Sequence, residues 1–155
     1  MNTRFAGDIG EKIAADYLEK EGYKILESNA KYCDCEVDLI CECYTDENGN
    51  LIKRNAKNKF VEKVHKLLKI QPLKKGERTI VFVEVKTRCG KEFGSAEEAV
   101  TAYKAGRYVT AAKSYLAQKR ISGTNVRFDI VAIDDEGIRH IENAFCVNDA
   151  KYPRK

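Results

Sequence analysis

The segment Thr79–Thr87, Thr-Ile-Val-Phe-Val-Glu-Val-Lys-Thr, leaves little choice but a β-strand. β-Branched and aromatic residues fill it, and the polar run Arg88–Gly94 stops it. A nearly unbroken apolar strand belongs inside a sheet, covered on both faces. Glu84 and Lys86 conflict with that setting: two residues apart, they point to one face of the strand. Burying either charge alone costs several kcal/mol, so that face must offer a counter-ion, a water-filled cleft, or both.

The rest of the chain supplies elements to pack around this strand. From Asp8 to Glu21, Ile9, Ile13, Ala14, Tyr17 and Leu18 recur at helical spacing, with Glu11 at the border of the apolar stripe and Gly22 placed as a stop. Tyr23–Ala30 reads as a short strand ending at Ser28-Asn29. Tyr32–Tyr44 then alternates with period two. Cys33, Cys35, Val37, Leu39, Cys41 and Cys43 share one face; Tyr32, Asp34, Glu36, Asp38, Ile40 and Glu42 share the other. A turn cluster follows at Thr45–Asn50, and Phe60, Val61, Val64, Leu67 and Leu68 mark a short amphipathic helix ended by Pro72. Ser95–Glu98 forms a capping-box pattern that opens a long helix over Ala96–Arg120, with Val100, Tyr103, Val109, Ala112 and Leu116 on its buried side. Strands are expected at Val126–Ile133 and Ile138–Ile141, joined by a turn at Asp134–Gly137.

At 155 residues the chain is of single-domain size, and it is expected to form one α/β domain over 1–155 with an insertion at about 44–78. No run of apolar residues is long enough to span a bilayer and Met1–Gly10 lacks a secretory h-region, so a cytoplasmic protein with no membrane partner is expected. In that compartment the six cysteines are free thiols. Histidine catalysis would rest on His65 and His140 alone, both at positions that read as surface. A zinc site built from Cys33, Cys35, Cys41 and Cys43 is argued against by distance, because residues eight apart on one strand lie roughly 26 Å from each other unless the strand folds back, and core packing is the favoured role.

The net charge of +4 hides an uneven distribution. Lys53–Arg78 holds ten basic and two acidic residues, a local +8 that leaves −4 for the remainder. An acidic body with one basic segment suits a polyanion partner, since phosphate backbones are held through Lys and Arg. Lys53, Arg54, Lys57 and Lys63 are the candidates there. A nucleic-acid arm, a protein-docking helix and a dimerisation element all suit this segment, as does a solvated loop.

Asp38, Glu84 and Lys86 together match what phosphodiester cleavage needs. Carboxylate oxygens hold a hard divalent cation, and an ammonium stabilises developing negative charge or orients the attacking water. A structural ion pair between Lys86 and either carboxylate accounts for the same spacing.

Six segments carry a resemblance. Gly10–Leu18, Gly22–Leu26, Glu36–Ile40, Val81–Arg88, Arg127–Val131 and Asn143–Phe145 resemble the YraN-like family of uncharacterised bacterial proteins, taken as a branch of the PD-(D/E)XK nuclease superfamily, similar to archaeal Holliday-junction resolvases and restriction endonucleases. The resemblance covers most of the chain outside about 44–78. It implies a restriction-endonuclease-like mixed sheet flanked by helices, with Asp38 and Glu84 as ligands of Mg²⁺ or Mn²⁺ and the Val85 carbonyl facing the same ion. Lys86 would be the catalytic lysine, Glu11 an acidic residue approaching the cluster, and Lys104 and Arg107 contacts to the phosphate backbone. The implied activity is metal-dependent hydrolysis of DNA, on branched or recombination structures, by a protein that could act as a homodimer. A catalytically inactive nucleic-acid-binding or partner-recruiting module on the same fold is the alternative.

Overall fold

The computed structural model describes residues 3–48, 50–52, 76–87 and 101–147. Helix α1 (Thr3–Glu21) leads into strands β1 (Lys24–Tyr32), β2 (Cys35–Thr45) and β3 (Glu77–Thr87). Helix α2 (Ala102–Gln118) precedes β4 (Asn125–Asp134) and β5 (Gly137–Ile141). The strands lie in the order β1-β2-β3-β4-β5, so the apolar strand is central, as its composition demands. The β3–β4 pair is parallel and the rest are antiparallel, which makes the sheet mixed. A parallel pair needs a crossover, and the connection containing α2 provides it.

Each face of the sheet has its own core. On one, Ala14 and Leu18 of α1 pack on Leu39, Cys41, Cys43, Val81, Val83 and Val131. On the other, Tyr108, Val109, Ala112 and Tyr115 of α2 pack on Val37, Ile40, Ile80, Phe82 and Phe128. Both faces of β3 are therefore covered, and its residues Ile80–Val83 are fully buried.

Several boundaries differ from the sequence expectation. Tyr32–Tyr44 is not one strand: Cys33 and Asp34, at φ 48° and 58°, form a two-residue hairpin turn between the paired Tyr32 and Cys35. Two successive left-handed residues are the mark of a type I′ turn, usually carried by Asn-Gly or Asp-Gly, so Cys-Asp gave no signal. Nor do the cysteines share a face, since Cys35 and Val37 join the α2-side core while Leu39, Cys41 and Cys43 join the α1 side. The alternation fails at Asp38, where β2 stops pairing with β3 and is held by β1 alone. Strand β1 runs through Asn29 rather than ending there; the left-handed φ of 51° at that residue accounts for its loop-like appearance.

Helix α2 starts later than expected. Thr101 is extended (φ −63°, ψ 150°) and its hydroxyl caps the helix by accepting from the Lys104 N–H. Residues 96–100 and the capping box lie outside the described residues. Tyr103, expected on the buried side, is 55% exposed, because a start at Ala102 leaves it in the first turn beyond the core. In α1, Ala14 and Leu18 are buried and Tyr17 packs against the same core as expected, but Ile9 and Ile13 are exposed and Gly10 takes the buried line instead. Gly10 is required there: a Cβ on it would lie 2.1 Å from Oγ1 of Thr87. That approach sets α1 against the end of β3 and brings Glu11 towards Asp38. Gly22, at φ 106°, ends α1 as its position suggested, with the Tyr23 N–H donating to the Leu18 carbonyl.

The ends of the segment expected as an insertion at about 44–78 belong to strands β2 and β3. Tyr44 pairs with Arg78 and Thr45 with Glu77. Asp46 accepts from the N–H groups of Asn48 and Asn50, confirming the turn cluster there. Lys53, Arg54, Lys57, Lys63, His65 and the Phe60–Leu68 helix lie outside the described residues.

Candidate active site

The α2-facing side of β3 ends in Glu84, which is 3% exposed. Every oxygen of this buried carboxylate has a partner. Oε1 receives the Lys86 ammonium at 2.6 Å and also the Lys104 ammonium, and Oε2 accepts the Tyr108 hydroxyl. Lys104 and Tyr108 are four residues apart on α2, so one helix face delivers both donors. Burial works to raise the Glu84 pKa, but the hydrogen bonds from Lys104, Lys86 and Tyr108 outweigh it and hold the carboxyl below its usual range. The same pairing raises Lys86 despite its own desolvation.

Asp38 sits where β2 joins β3, and its Oδ2 accepts the Val85 N–H at 2.7 Å. Its environment is the reverse of that around Glu84. Burial, then the negative charge of Glu84, pushes its pKa up to about 7, with a smaller push from Glu11. The Val85 N–H and Lys104 oppose this without cancelling it. Among the described residues, two ammoniums stand on Glu84 and none on Asp38, so these neighbouring carboxylates differ in proton affinity.

A cavity of about 290 Å³ opens onto this pair, lined by Cys35, Glu36, Asp38, Glu84, Lys104 and Arg107. A second, of about 410 Å³, adjoins it across Arg107 and is lined by Cys33, Asp34, Tyr103 and Thr110. Arg107 donates to the Asp34 carbonyl and so ties α2 to the hairpin turn. Asp38, Glu84, Lys86 and Lys104 are thereby brought together, with Glu11 close enough for its charge to bear on Asp38. Lys104, placed on the phosphate path by resemblance, turns in to Glu84.

Among the described residues, no three Asp, Glu, His or Cys side chains are arranged about a single metal position. Two carboxylates that repel each other in a cleft, one already drawing cations, are nonetheless the hard-oxygen set that Mg²⁺ takes, because that ion keeps several waters and needs only one or two carboxylates. The cysteines considered for zinc do not form such a set: Cys33, Cys35, Cys41 and Cys43 are free thiols.

Two features escaped the sequence reading. Tyr108 was detectable, being one helical turn from Lys104 and so on the same face. His140 is not at the surface: its side chain is 7% exposed and its Nε2 lies 2.8 Å from Oδ2 of the fully buried Asp129. Asp129 also takes the Arg127 guanidinium and the Asn143 N–H.

A five-stranded mixed sheet with a helix on each face and Asp38, Glu84 and Lys86 at its centre is an α/β architecture of the restriction-endonuclease-like kind. Residues 10–133 match the Uncharacterised protein family UPF0102, and the chain belongs to that family. A UPF0102 protein of Caldanaerobacter subterraneus subsp. tengcongensis is 36% identical over 152 residues, covering 94% of this chain and 98% of that protein. One from Syntrophomonas wolfei is 39% identical over 147 residues, covering 92% and 99%, and one from Clostridioides difficile is 31% identical over 147 residues, covering 94% and 100%. Among the described residues, no helix is long and apolar enough to cross a membrane.

Proposed function

We propose that the protein is a metal-dependent endonuclease that hydrolyses DNA phosphodiester bonds, with branched or recombination structures as its substrates. The observation that carries this reading is the convergence of Asp38 and Glu84 in one cleft with Lys86 2.6 Å from Glu84. A bound Mg²⁺ or Mn²⁺ would supply Lewis acidity and a water activated near neutral pH. Asp38 and Glu84 would hold the ion, with the Val85 carbonyl facing it. The Tyr108 hydroxyl donates to Glu84 from the core side. The Lys86 ammonium, kept charged by Glu84, stands ready to stabilise negative charge on a phosphate or to orient the attacking water. Arg107 lines the same cleft and adds positive charge at its mouth. The test is cleavage of linear, nicked, flapped and four-way DNA with Mg²⁺ and with Mn²⁺, using Glu84→Gln as the control. Metal-dependent cleavage lost in that variant supports the reading; no cleavage of any substrate with either ion refutes it.

A second reading draws on the completed partnering of Glu84. With both oxygens occupied, the carboxylate serves as the anchor of a binding module without catalysis. DNA binding that survives Asp38→Ala and Glu84→Gln unchanged, with no cleavage by the native protein, selects this alternative.

A further inference from the structure

The Lys104 ammonium occupies the Glu84 oxygen that a metal ion would claim. Lys86 sits on the same oxygen, but it belongs to the same strand as Glu84 and can stay beside the carboxylate when a third cation arrives. Lys104 comes from α2, its side chain is 36% exposed, and it lines the open cleft, so it has somewhere to go. We propose that Lys104 locks the substrate-free site: it competes with the divalent ion for Glu84, and a bound nucleic-acid phosphate draws it away, so that metal and nucleic acid bind cooperatively.

Charge balance supports the coupling. Oε1 of Glu84 already carries the Lys86 and Lys104 ammoniums, so a divalent ion arriving there is a third cation at one oxygen. Metal without phosphate therefore leaves the Lys104 ammonium beside a dication in a cleft of about 290 Å³. Phosphate supplies the departing ammonium with a new anion within reach of a flexible side chain. The linkage is reciprocal, so phosphate must bind more tightly when metal is present by the same factor.

This inference rests on the reading of Glu84 as a metal ligand, and the experiment separates the two. Mn²⁺ binding to the full chain would be measured by electron paramagnetic resonance for the native protein, Lys104→Met and Lys104→Gln, without DNA and with a short phosphorothioate duplex that resists cleavage. Without DNA, both variants are expected to bind Mn²⁺ roughly tenfold more tightly than the native protein, a middle value for coupled sites. The duplex should tighten native binding by a similar factor and leave the variants almost unchanged. Variants that bind Mn²⁺ no better than the native protein, in samples with a normal melting transition, overturn the lock while leaving the metal site standing. Failure of the duplex to tighten native binding also overturns it, and needs no variant to fold. Absence of Mn²⁺ binding in every protein, with and without the duplex, removes both the lock and the metal reading beneath it.

Discussion

Two buried carboxylates on adjacent central strands, Glu84 on β3 and Asp129 on β4, have been given opposite surroundings. Asp129 is fully buried, and its partners are a guanidinium fork at 2.8–3.2 Å, an imidazole at 2.8 Å and a backbone N–H at 2.9 Å. Arg127 in turn bonds the Tyr23 hydroxyl and Glu142, so the cluster ties the end of α1 to β4 and to the turn after β5. Glu84 is held instead by two flexible lysines beside a cavity. A planar fork fixes a carboxylate by geometry, whereas an ammonium is a mobile point charge that can be exchanged for another cation. Charge on a central strand therefore does not by itself mark a site. Exchangeable partners and access to solvent separate the site from the brace.

The comparison breaks most sharply under exchange of each carboxylate for its amide. Glu84→Gln should lower metal-dependent cleavage on the order of a thousandfold, the several kcal/mol that metal-borne charge stabilisation supplies, and leave the melting temperature close to native. Asp129→Asn should do the reverse. It leaves the largely buried Arg127 guanidinium with only the exposed Glu142 as its anion among the described residues, at a cost of about 3 kcal/mol in urea unfolding, while Mn²⁺ affinity of the remaining folded protein stays native. A brace that altered metal affinity, or a site residue whose loss unfolded the chain, would erase the distinction.

A subtler effect follows from Asp38. Its folded-state pKa of about 7 lies above the ordinary 3.8, so the folded protein holds this proton more tightly than the unfolded chain. The metal-free protein therefore loses stability through Asp38 as pH rises from about 4 to about 7, and the full penalty is present above that window. Asp38→Asn removes the titration. Its stability relative to native should improve between pH 5 and pH 8 by about 2 kcal/mol, measured by chemical denaturation with chelator present. Saturating Mg²⁺ at pH 8 should stabilise the native chain and not the variant. An equal difference at both pH values would mean that Asp38 is not strained by its neighbours.

What could be read beforehand divides along physical lines. The central strand was legible because β-branched residues and a polar stop are local signals, and Glu84 and Lys86 stood out against them. Gly22 and the Asp134–Gly137 turn were legible for the same reason. The hairpin at Cys33-Asp34 was not, because its left-handed residues lack the glycine or asparagine that normally announces such a turn. The switch of faces at Asp38 was equally hidden, since it arises where β2 leaves β3, a tertiary event. His140 looked exposed because nothing local reveals that Asp129, on the neighbouring strand, faces it. Lys104 was recognisable as a basic residue on a helix, but which anion it meets depends on how α2 lies across β3.

The smallest effect tests how far Glu84 resembles its counterpart after all. Among the described residues Tyr108 is its one neutral donor, fully buried, edge-on to Phe145 at 5.9 Å, and Phe145 stacks on Phe128 at 5.1 Å. The Ala144 N–H donates to the Phe128 carbonyl, and the Asn143 N–H is held by Asp129. The brace thus seats the aromatic residues against which Tyr108 rests. Tyr108→Phe keeps the ring and its packing and removes only the hydroxyl, so about 1 kcal/mol of stability should be lost, the net worth of one hydrogen bond. If the hydroxyl also orients the carboxylate, Mn²⁺ affinity should fall about tenfold, the low end for loss of a ligand's supporting hydrogen bond. A stability loss with unchanged Mn²⁺ affinity would show that the lysines alone orient Glu84, and that the brace on β4 has no influence on the site.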